Sequence, residues 1–404
     1  MLFRKKHWQK MHFCKKYFVI LYKKMKNIHI IEYIFTDSDI DEGAYRDLFK
    51  IFSSNSNSNS KDNSNGRNCI YDIMMKTNKD SCFIHIENNN YQIDHFNNNL
   101  FYNDNQFRKF IKIIKNTQTK FQSNKSNYES IFVFSGHCNG WTCYSGKQII
   151  NMKSIRDIFL KNNMMFDLIC FDGCYSSTLD LIYQFTDLSK FIIGHQPYIN
   201  YEGFNCKSLC SILNNNLEFK NKLKHLAKDF IDRSISEKDN TSITIIECDK
   251  FNKMIDLYKK NYLEIRKLII SKEAREFITD LCTKELLKCS DENIDGSCNV
   301  ICDNMIDMLK LLKLYNNQEM LDLYNQSVFY KTNKLTVDNK YFKSWMRYGG
   351  INVLINKDNK KIDKDYKNLR FYTEFYKNNK QTMKKTIKKS KSKSKTKTKS
   401  KTKS

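Results

Sequence analysis

The sequence predicts an α/β fold: a mostly parallel sheet flanked by helices, followed by a mainly helical C-terminal region. Two observations carry that prediction. Short apolar runs rich in β-branched and aromatic residues recur as IHIIEYIF at 28–35, IFVFS at 131–135, FDLICF at 166–171 and KFIIG at 190–194. Each is too unbroken for a strand with one wet face, so each reads as a strand covered on both sides. Segments of helical period lie between them, and strands alternating with helices require crossover connections, which are right-handed in a parallel sheet.

The elements follow in order. The strand at 28–35 ends in the acidic turn Asp37-Ser38-Asp39, and a helix is expected over Ala44–Phe52. Residues 53–66, SSNSNSNSKDNSNG, form a low-complexity loop that has nothing to bury. Cys69–Lys76 and Ser81–Glu87 read as strands. Gln106–Asn116 places Phe107, Phe110, Ile111 and Ile114 on one helical face. After the strand at 131–135, which is expected to stop at Gly136-His137, Asn151–Asn163 is a second amphipathic helix. The strand at 166–171 stops at Asp172-Gly173-Cys174, Ser177–Phe185 is helical, and Lys190–Gly194 is the next strand. Residues 207–236 and 250–290 are mostly helical by pattern, with a strand at Ser242–Glu247 between them and a late or edge strand at Gly350–Ile355.

Composition narrows the class. The chain has 404 residues, of which 40% are hydrophobic, so a large core is available and disorder cannot account for the whole. The formal charge is +25, yet eleven Lys lie in residues 384–404 and nine Lys or Arg in residues 1–27, leaving +5 for the body. A nucleic-acid reading from overall charge would therefore be a reading of the two ends. Abundant Lys, Asn, Ile and Tyr beside one Pro and 11 Gly point to an AT-rich genome, of which a large DNA virus is one setting. The 14 Cys show no paired framework, and free thiols in an intracellular, reducing compartment are expected. Tyr17–Tyr22 is too short an apolar run for a signal peptide or a membrane span, and Met25 is an alternative start.

The chemistry lies at two strand ends. Topology makes the strands at 131–135 and 166–171 neighbours, and sites form beyond the carboxyl ends of such strands. His137 and Cys174 each stand just after one. A thiol attacking an amide carbonyl needs a base, donors for the oxyanion and a pocket, and a histidine beside a cysteine meets the first need. The backbone N–H groups of Cys138 and Cys174 are the natural oxyanion donors. With 14 Cys and eight His, however, a chance pair is easy to find.

The local sequences go further. IFVFSGHCNGW at 131–141 resembles the strand–His–Gly–Trp motif of clostripain-like cysteine peptidases, the C11 family with a caspase-type fold, and FDLICFDGCYSS at 166–177 resembles that family's strand followed by Asp-Ala-Cys. The resemblance implies Cys174 as nucleophile and His137 as general base, acting as a Cys-His dyad. It implies Asp172 as the acid of a pocket for Arg or Lys at P1, a role in which a carboxylate makes charge-assisted bonds. A turn residue capping the next helix is the plain alternative for Asp172. KFIIGHQPYINYEGFN at 190–205 looks like the substrate loop, with Glu202 and Gly203 in substrate-binding positions, and 241–254 and 349–378 look like the later strands and terminal helix. On this reading 1–24 is a basic extension, 25–205 a caspase-like catalytic core, 206–382 the mainly helical remainder and 383–404 a disordered Lys/Ser/Thr tail.

There are departures from the family pattern. Cys138 stands where Gly usually follows the His, Gly173 replaces Ala, Pro197 comes early, and Tyr201-Glu202 stands where Pro would be. The expected function is a cysteine endopeptidase cleaving protein or peptide substrates after basic residues. A catalytically inactive caspase-fold binding protein, or a nucleic-acid- or membrane-associated factor acting through its basic tails, is the alternative. No cofactor is required. Calcium is an option, since some relatives use it and Asp37-Ser38-Asp39 could hold it, although a capping turn is the default there. Cys138 with Cys143 could hold a metal but reads as two buried thiols. An anionic partner, nucleic acid or lipid, would suit the C-terminal tail.

Overall fold

The computed structural model describes residues 27–36, 45, 48, 69–77, 81–87, 90–96, 104–123, 128–140, 142–145, 148–196, 203–204, 206–213, 215, 217–233, 241–269, 271, 305–334, 350–354 and 369–377. The acidic turn 37–39, the loop 53–66, Pro197, Tyr201, Glu202 and both basic ends lie outside them. Of the helix expected at 44–52, Tyr45 and Leu48 are described, and both are helical.

Nine strands form the body of the sheet: β1 (Asn27–Phe35), β2 (Cys69–Lys76), β3 (Ser81–Glu87), β4 (Asn90–His95), β5 (Tyr128–Asn139), β8 (Phe166–Asp172), β9 (Ser189–Gly194), β10 (Thr241–Glu247) and β12 (Val328–Lys334). Their order is β12-β10-β9-β8-β5-β1-β2-β3-β4. The central five, β9-β8-β5-β1-β2, are parallel, while β10 and β12 on one flank and β3 and β4 on the other pair antiparallel. Two short strands, β6 (Thr142–Ser145) and β7 (Gln148–Ile150), fold back from β5, and β11 (Met305–Asp307) pairs separately with β13 (Asn352–Leu354).

Because the central strands are covered on both faces, their side chains divide by alternation into two cores. One face is aromatic: Tyr33, Phe132, Phe134 and Phe171 meet Phe107 and Phe110 of helix α1 (Asp104–Ser123) and Phe159 of α2 (Met152–Lys161). Phe132 and Phe159 stand edge to face at 5.0 Å, a favoured aromatic geometry. Helix α3 (Leu179–Phe185) closes the same face. The opposite face is aliphatic: Ile30, Val133, Leu168 and Ile193 lie under α4 (Cys206–Leu213) and α5 (Phe219–Arg233). The later helices α6 (Cys248–Lys260), α7 (Tyr262–Ile269), α8 (Met308–Tyr315) and α9 (Gln318–Ser327) extend the aromatic core. Asn151, Thr178, Asp307 and Asn317 cap α2, α3, α8 and α9 through side-chain oxygens. No described helix is long and apolar enough to cross a membrane.

Two expectations change. The strand expected to stop at Gly136-His137 runs on to Asn139, because Gly140, at φ +73°, starts a tight turn that pairs it with β6. The expectation of free thiols also fails at four positions: Cys69 is joined to Cys210, and Cys138 to Cys143. Neither pair has a spacing signature. Cys138 and Cys143 meet as register partners of the β5–β6 hairpin, and Cys69 meets Cys210 across 141 residues of sequence.

Candidate active site

The site grows from one register. β5 and β8 are parallel neighbours, with Ile131 opposite Leu168 and Ser135 opposite Asp172. Two residues further along each chain stand His137 and Cys174, so both leave the same edge of the sheet on adjacent segments. Both are half-buried, and Cys174 carries a thiol.

Three glycines make the close approaches. A Cβ on Gly136 would lie 2.5 Å from the carbonyl oxygen of Phe35, where β1 ends. A Cβ on Gly173 would lie 2.5 Å from the Gly136 carbonyl oxygen, 2.7 Å from Cys138 Sγ and 2.9 Å from Cys138 Cβ. The two departures at 138 and 173 are therefore one feature. The cysteine beside His137 occupies the space that a side chain at 173 would need. Gly203, at φ +57°, presents its bare Cα to Asp172, where a Cβ would fall 2.6 Å from Oδ2.

The turn after Cys174 is held from three sides. Tyr175 has φ +52°, a left-handed conformation that costs a non-glycine residue about 1–2 kcal/mol. Ser176 Oγ donates to the Phe171 carbonyl at 3.0 Å and accepts from the His195 N–H at 3.0 Å. The Ser177 N–H donates to the His195 carbonyl at 2.9 Å, and the Ser177 hydroxyl donates to the Gly350 carbonyl at 2.5 Å. The Asn352 N–H donates to the Ser177 carbonyl at 2.9 Å, so the start of β13 braces the turn from behind.

Asp172 is half-buried. Its Oδ2 accepts the Phe204 N–H at 2.9 Å and faces the Ser135 hydroxyl at 3.4 Å. The structure thus brings Asp172, Gly203, His137, Cys138 and Cys174 to one end of β5 and β8, while Glu202 lies outside the described residues. Two residues passed over in the sequence also belong to this neighbourhood. Glu32, buried in β1, accepts from Ser135 Oγ at 3.1 Å. His195 is fully buried and donates through Nδ1 to the Ser242 carbonyl. A lone acid inside the apolar run IHIIEYIF was the available signal for Glu32.

Burial sets the protonation of the neighbours. Cys170, under the turn, has its thiol pushed well up by burial and then by the charges of Asp172 and Glu32, so it is an inert core thiol. Burial lowers His195 to about 4, with its bond to the Ser242 carbonyl opposing, so the ring is neutral near pH 7. Among the described residues no group of three His, Cys, Asp or Glu side chains could hold a metal ion.

The model of the clostripain family, peptidase C11, matches residues 32–390. The chain belongs to the clostripain family. Membership makes it a cysteine peptidase by family, and the fold agrees. A secreted C11 cysteine protease from Bacteroides thetaiotaomicron, iotapain, superposes with a TM-score of 0.59 at 12% identity, over 87% of this chain and 99% of that one. An inactive zymogen C11 protease from Parabacteroides distasonis gives 0.55 at 15% identity, over 87% and 98%. A secreted B. thetaiotaomicron C11 protease in complex with an irreversible peptide inhibitor gives 0.54 at 16%, over 86% and 98%. At these identities the likeness is one of fold, a mostly parallel caspase-like sheet flanked by helices. Comparison with curated proteins finds no match.

Proposed function

We propose that this clostripain-family chain is a cysteine endopeptidase that cleaves after Arg or Lys. The observation that supports it most is the β5–β8 register, which sends His137 and Cys174 out of one sheet edge on adjacent parallel strands. In the proposed reaction His137 takes the thiol proton of Cys174, and the thiolate adds to the scissile carbonyl. The backbone N–H groups of Cys138 and Cys174 hold the oxyanion. Collapse of the tetrahedral intermediate breaks the C–N bond, and His137 returns the proton to the leaving amine. Water, deprotonated by His137, then releases the acid product from the thioester. Asp172 pairs with the P1 cation.

The test is hydrolysis of fluorogenic peptides carrying Arg, Lys, Asp or Leu at P1, by the full chain and by Cys174→Ala, with reductant and with or without calcium. Cleavage confined to Arg and Lys and lost in Cys174→Ala is expected. Cleavage that survives Cys174→Ala would remove the nucleophile assignment. Cleavage after another residue would keep the nucleophile and remove the Asp172 role.

A further inference from the structure

β4 is the last strand on its flank of the sheet and pairs with β3 alone. All its residues, Asn90–His95, are exposed. Monomeric proteins usually blunt such an edge with lysine, proline, a bulge or a covering element, because its backbone groups invite another strand. β4 carries none of these guards. NYQIDH holds no Lys and no Pro, and its register with β3 runs unbroken from Asn90 opposite Glu87 to His95 opposite Cys82. Helix α1 does not close over it either. An open cavity of about 220 Å³ lies between β4 and α1, lined by Gln92 and Asp94 on one side and by Asn116 and Lys120 on the other.

The outward groups follow from one bond. The Phe96 N–H donates to the Ser81 carbonyl at 2.9 Å, so the backbone at 96 turns toward β3. Backbone groups alternate sides along a strand, so those of Asp94 and Gln92 also turn toward β3, while those of Ile93 and His95 turn away from it. Side chains alternate as well. Tyr91, Ile93 and His95 share the face of Ile84, the register partner of Ile93, and Gln92 and Asp94 share the other. Tyr91 is 65% and Ile93 39% exposed, so β4 shows two apolar side chains to solvent on one face.

An antiparallel copy of β4, turned about a two-fold axis at Ile93, answers these features. Ile93 then stands opposite Ile93 of the second copy, and with outward backbone groups the two exchange both hydrogen bonds. Their side chains cover each other, and His95 lies beside the partner's Tyr91. On the other face Gln92 stands opposite the partner's Asp94, twice by symmetry, an amide against a carboxylate. The Gln92 amide nitrogen donates to Asp94 of its own strand at 3.1 Å and has a second N–H for the partner's. A register centred on Asp94 would instead oppose two carboxylates, and one centred on Gln92 would carry His95 past the end of the partner strand.

We propose that the chain forms a two-fold symmetric dimer by pairing β4 with β4 of a second copy, in the register centred on Ile93. β4 runs in the same direction as β5, so the two-fold turns the partner's β5 the opposite way. The two edges that carry His137 and Cys174 then face opposite ends of one continuous sheet, and both stay open.

The experiment is sedimentation of the full chain in reductant over a range of concentrations, for wild type, Ile93→Pro, Gln92→Glu and Gln92→Lys, each checked for its melting temperature. Wild type should double its mass as concentration rises. Ile93→Pro removes an outward N–H and no bond to β3, and should remain a monomer. Gln92→Glu sets like charges opposite each other twice and should raise Kd roughly tenfold, whereas Gln92→Lys sets unlike charges there and should not. Ile93→Cys, oxidised, should link to its own copy at residue 93, read by mass spectrometry, and Gln92→Cys should not link at 92. A wild type that stays monomeric at every concentration overturns the proposal, as does a dimer that a folded Ile93→Pro leaves intact. If Ile93→Pro does not fold, the residue 92 pair decides: equal effects of Glu and Lys overturn it. Linkage at 92 in place of 93 overturns the register.

Discussion

Alanine at residue 173, the residue that the resemblance implies there, should damage the site of this chain. The new methyl would stand 2.5 Å from the Gly136 carbonyl oxygen, 2.7 Å from Cys138 Sγ and 2.9 Å from Cys138 Cβ, where real contacts begin near 3.4 Å. Relief requires the Cys174 turn and the β5 hairpin to part by several tenths of an ångström. Overpacking of this kind costs about 1–3 kcal/mol of stability. A shift approaching ~1 Å at a reacting group costs on the order of 10²-fold in rate, so a loss of roughly 10- to 100-fold in kcat/KM is expected for Gly173→Ala. Cys138→Gly removes two of the three contacts, while the carbonyl contact stays. Gly173→Ala should therefore cost less in the Cys138→Gly background than in wild type. Cys138→Gly also breaks the link to Cys143, and Cys143→Ser is the control, since it breaks the same link and leaves the Cys138 side chain in place. Melting temperatures and peptide hydrolysis for the four corners of the cycle give the coupling directly. Gly173→Ala behaving like wild type, or a coupling of zero, would refute the argument that Cys138 dictates glycine at 173.

Other predictions concern the frame. Asp72 is fully buried and accepts from His29 Nε2 at 2.8 Å, His85 Nδ1 at 2.6 Å and Thr117 Oγ1 at 2.8 Å, so Asp72→Asn should cost about 3 kcal/mol. Burial alone would raise its carboxyl, but the bonds from His29 and His85 outweigh it and hold it well below 3.8, so its contribution is lost as pH falls below that value. His85 is raised above 6.5 chiefly by its bond to Asp72, so its contribution is present below 6.5 and lost as pH rises through the raised value. The melting gap between wild type and Asp72→Asn should peak between those two pH values, and a gap flat from pH 4 to 9 would contradict this. Glu374, in the π-helical turn Tyr372–Lys377, accepts from Tyr183 at 2.7 Å, Lys259 at 2.5 Å and Arg370 at 2.9 Å. Burial opposes those bonds, which nevertheless lower it to about 2, so the stability lost in Glu374→Gln at pH 7 should diminish as pH falls from 4.5 toward 2. Equal gaps at pH 7 and pH 3 would count against it. Ser177→Ala strands the Gly350 carbonyl and should cost about 1–3 kcal/mol with a lower kcat, and an unchanged melt and rate would show that the brace is idle.

The parts of this fold that were legible are those where burial writes itself into composition. β1, β5, β8, β9 and β10 are near-continuous apolar runs because helices cover both sides of them, and α1 and α2 carry one-sided faces. β4 left no such mark: all six residues of NYQIDH are exposed, and it is a strand only because β3 offers it an edge. β12, VFYKTNK, was hidden for a similar reason, as the last strand on the other flank. At the site, the end of β8 and its glycine turn before Cys174 have a local signature, whereas the strand end expected at His137 was misplaced, since β5 runs on to Asn139. The relation of Cys138 to Gly173 could not be read, since it depends on the distance between two strands. Nor could the placing of Glu32 and Asp172 at one Ser135 hydroxyl, which brings together three strands.

The brace behind Cys174 also has a temporal side. Gly350 and Asn352 follow the nucleophile candidate by more than 170 residues, yet they supply two of the bonds that fix Ser177. A chain leaving the ribosome releases β1, β5, β8 and β9 long before these residues exist. The parallel centre can assemble at that stage, but the turn at Tyr175 then lacks the bonds from Gly350 and Asn352 to Ser177. The bonds from Gly350 and Asn352 to Ser177 are thus among the last that synthesis makes available to the Cys174 turn.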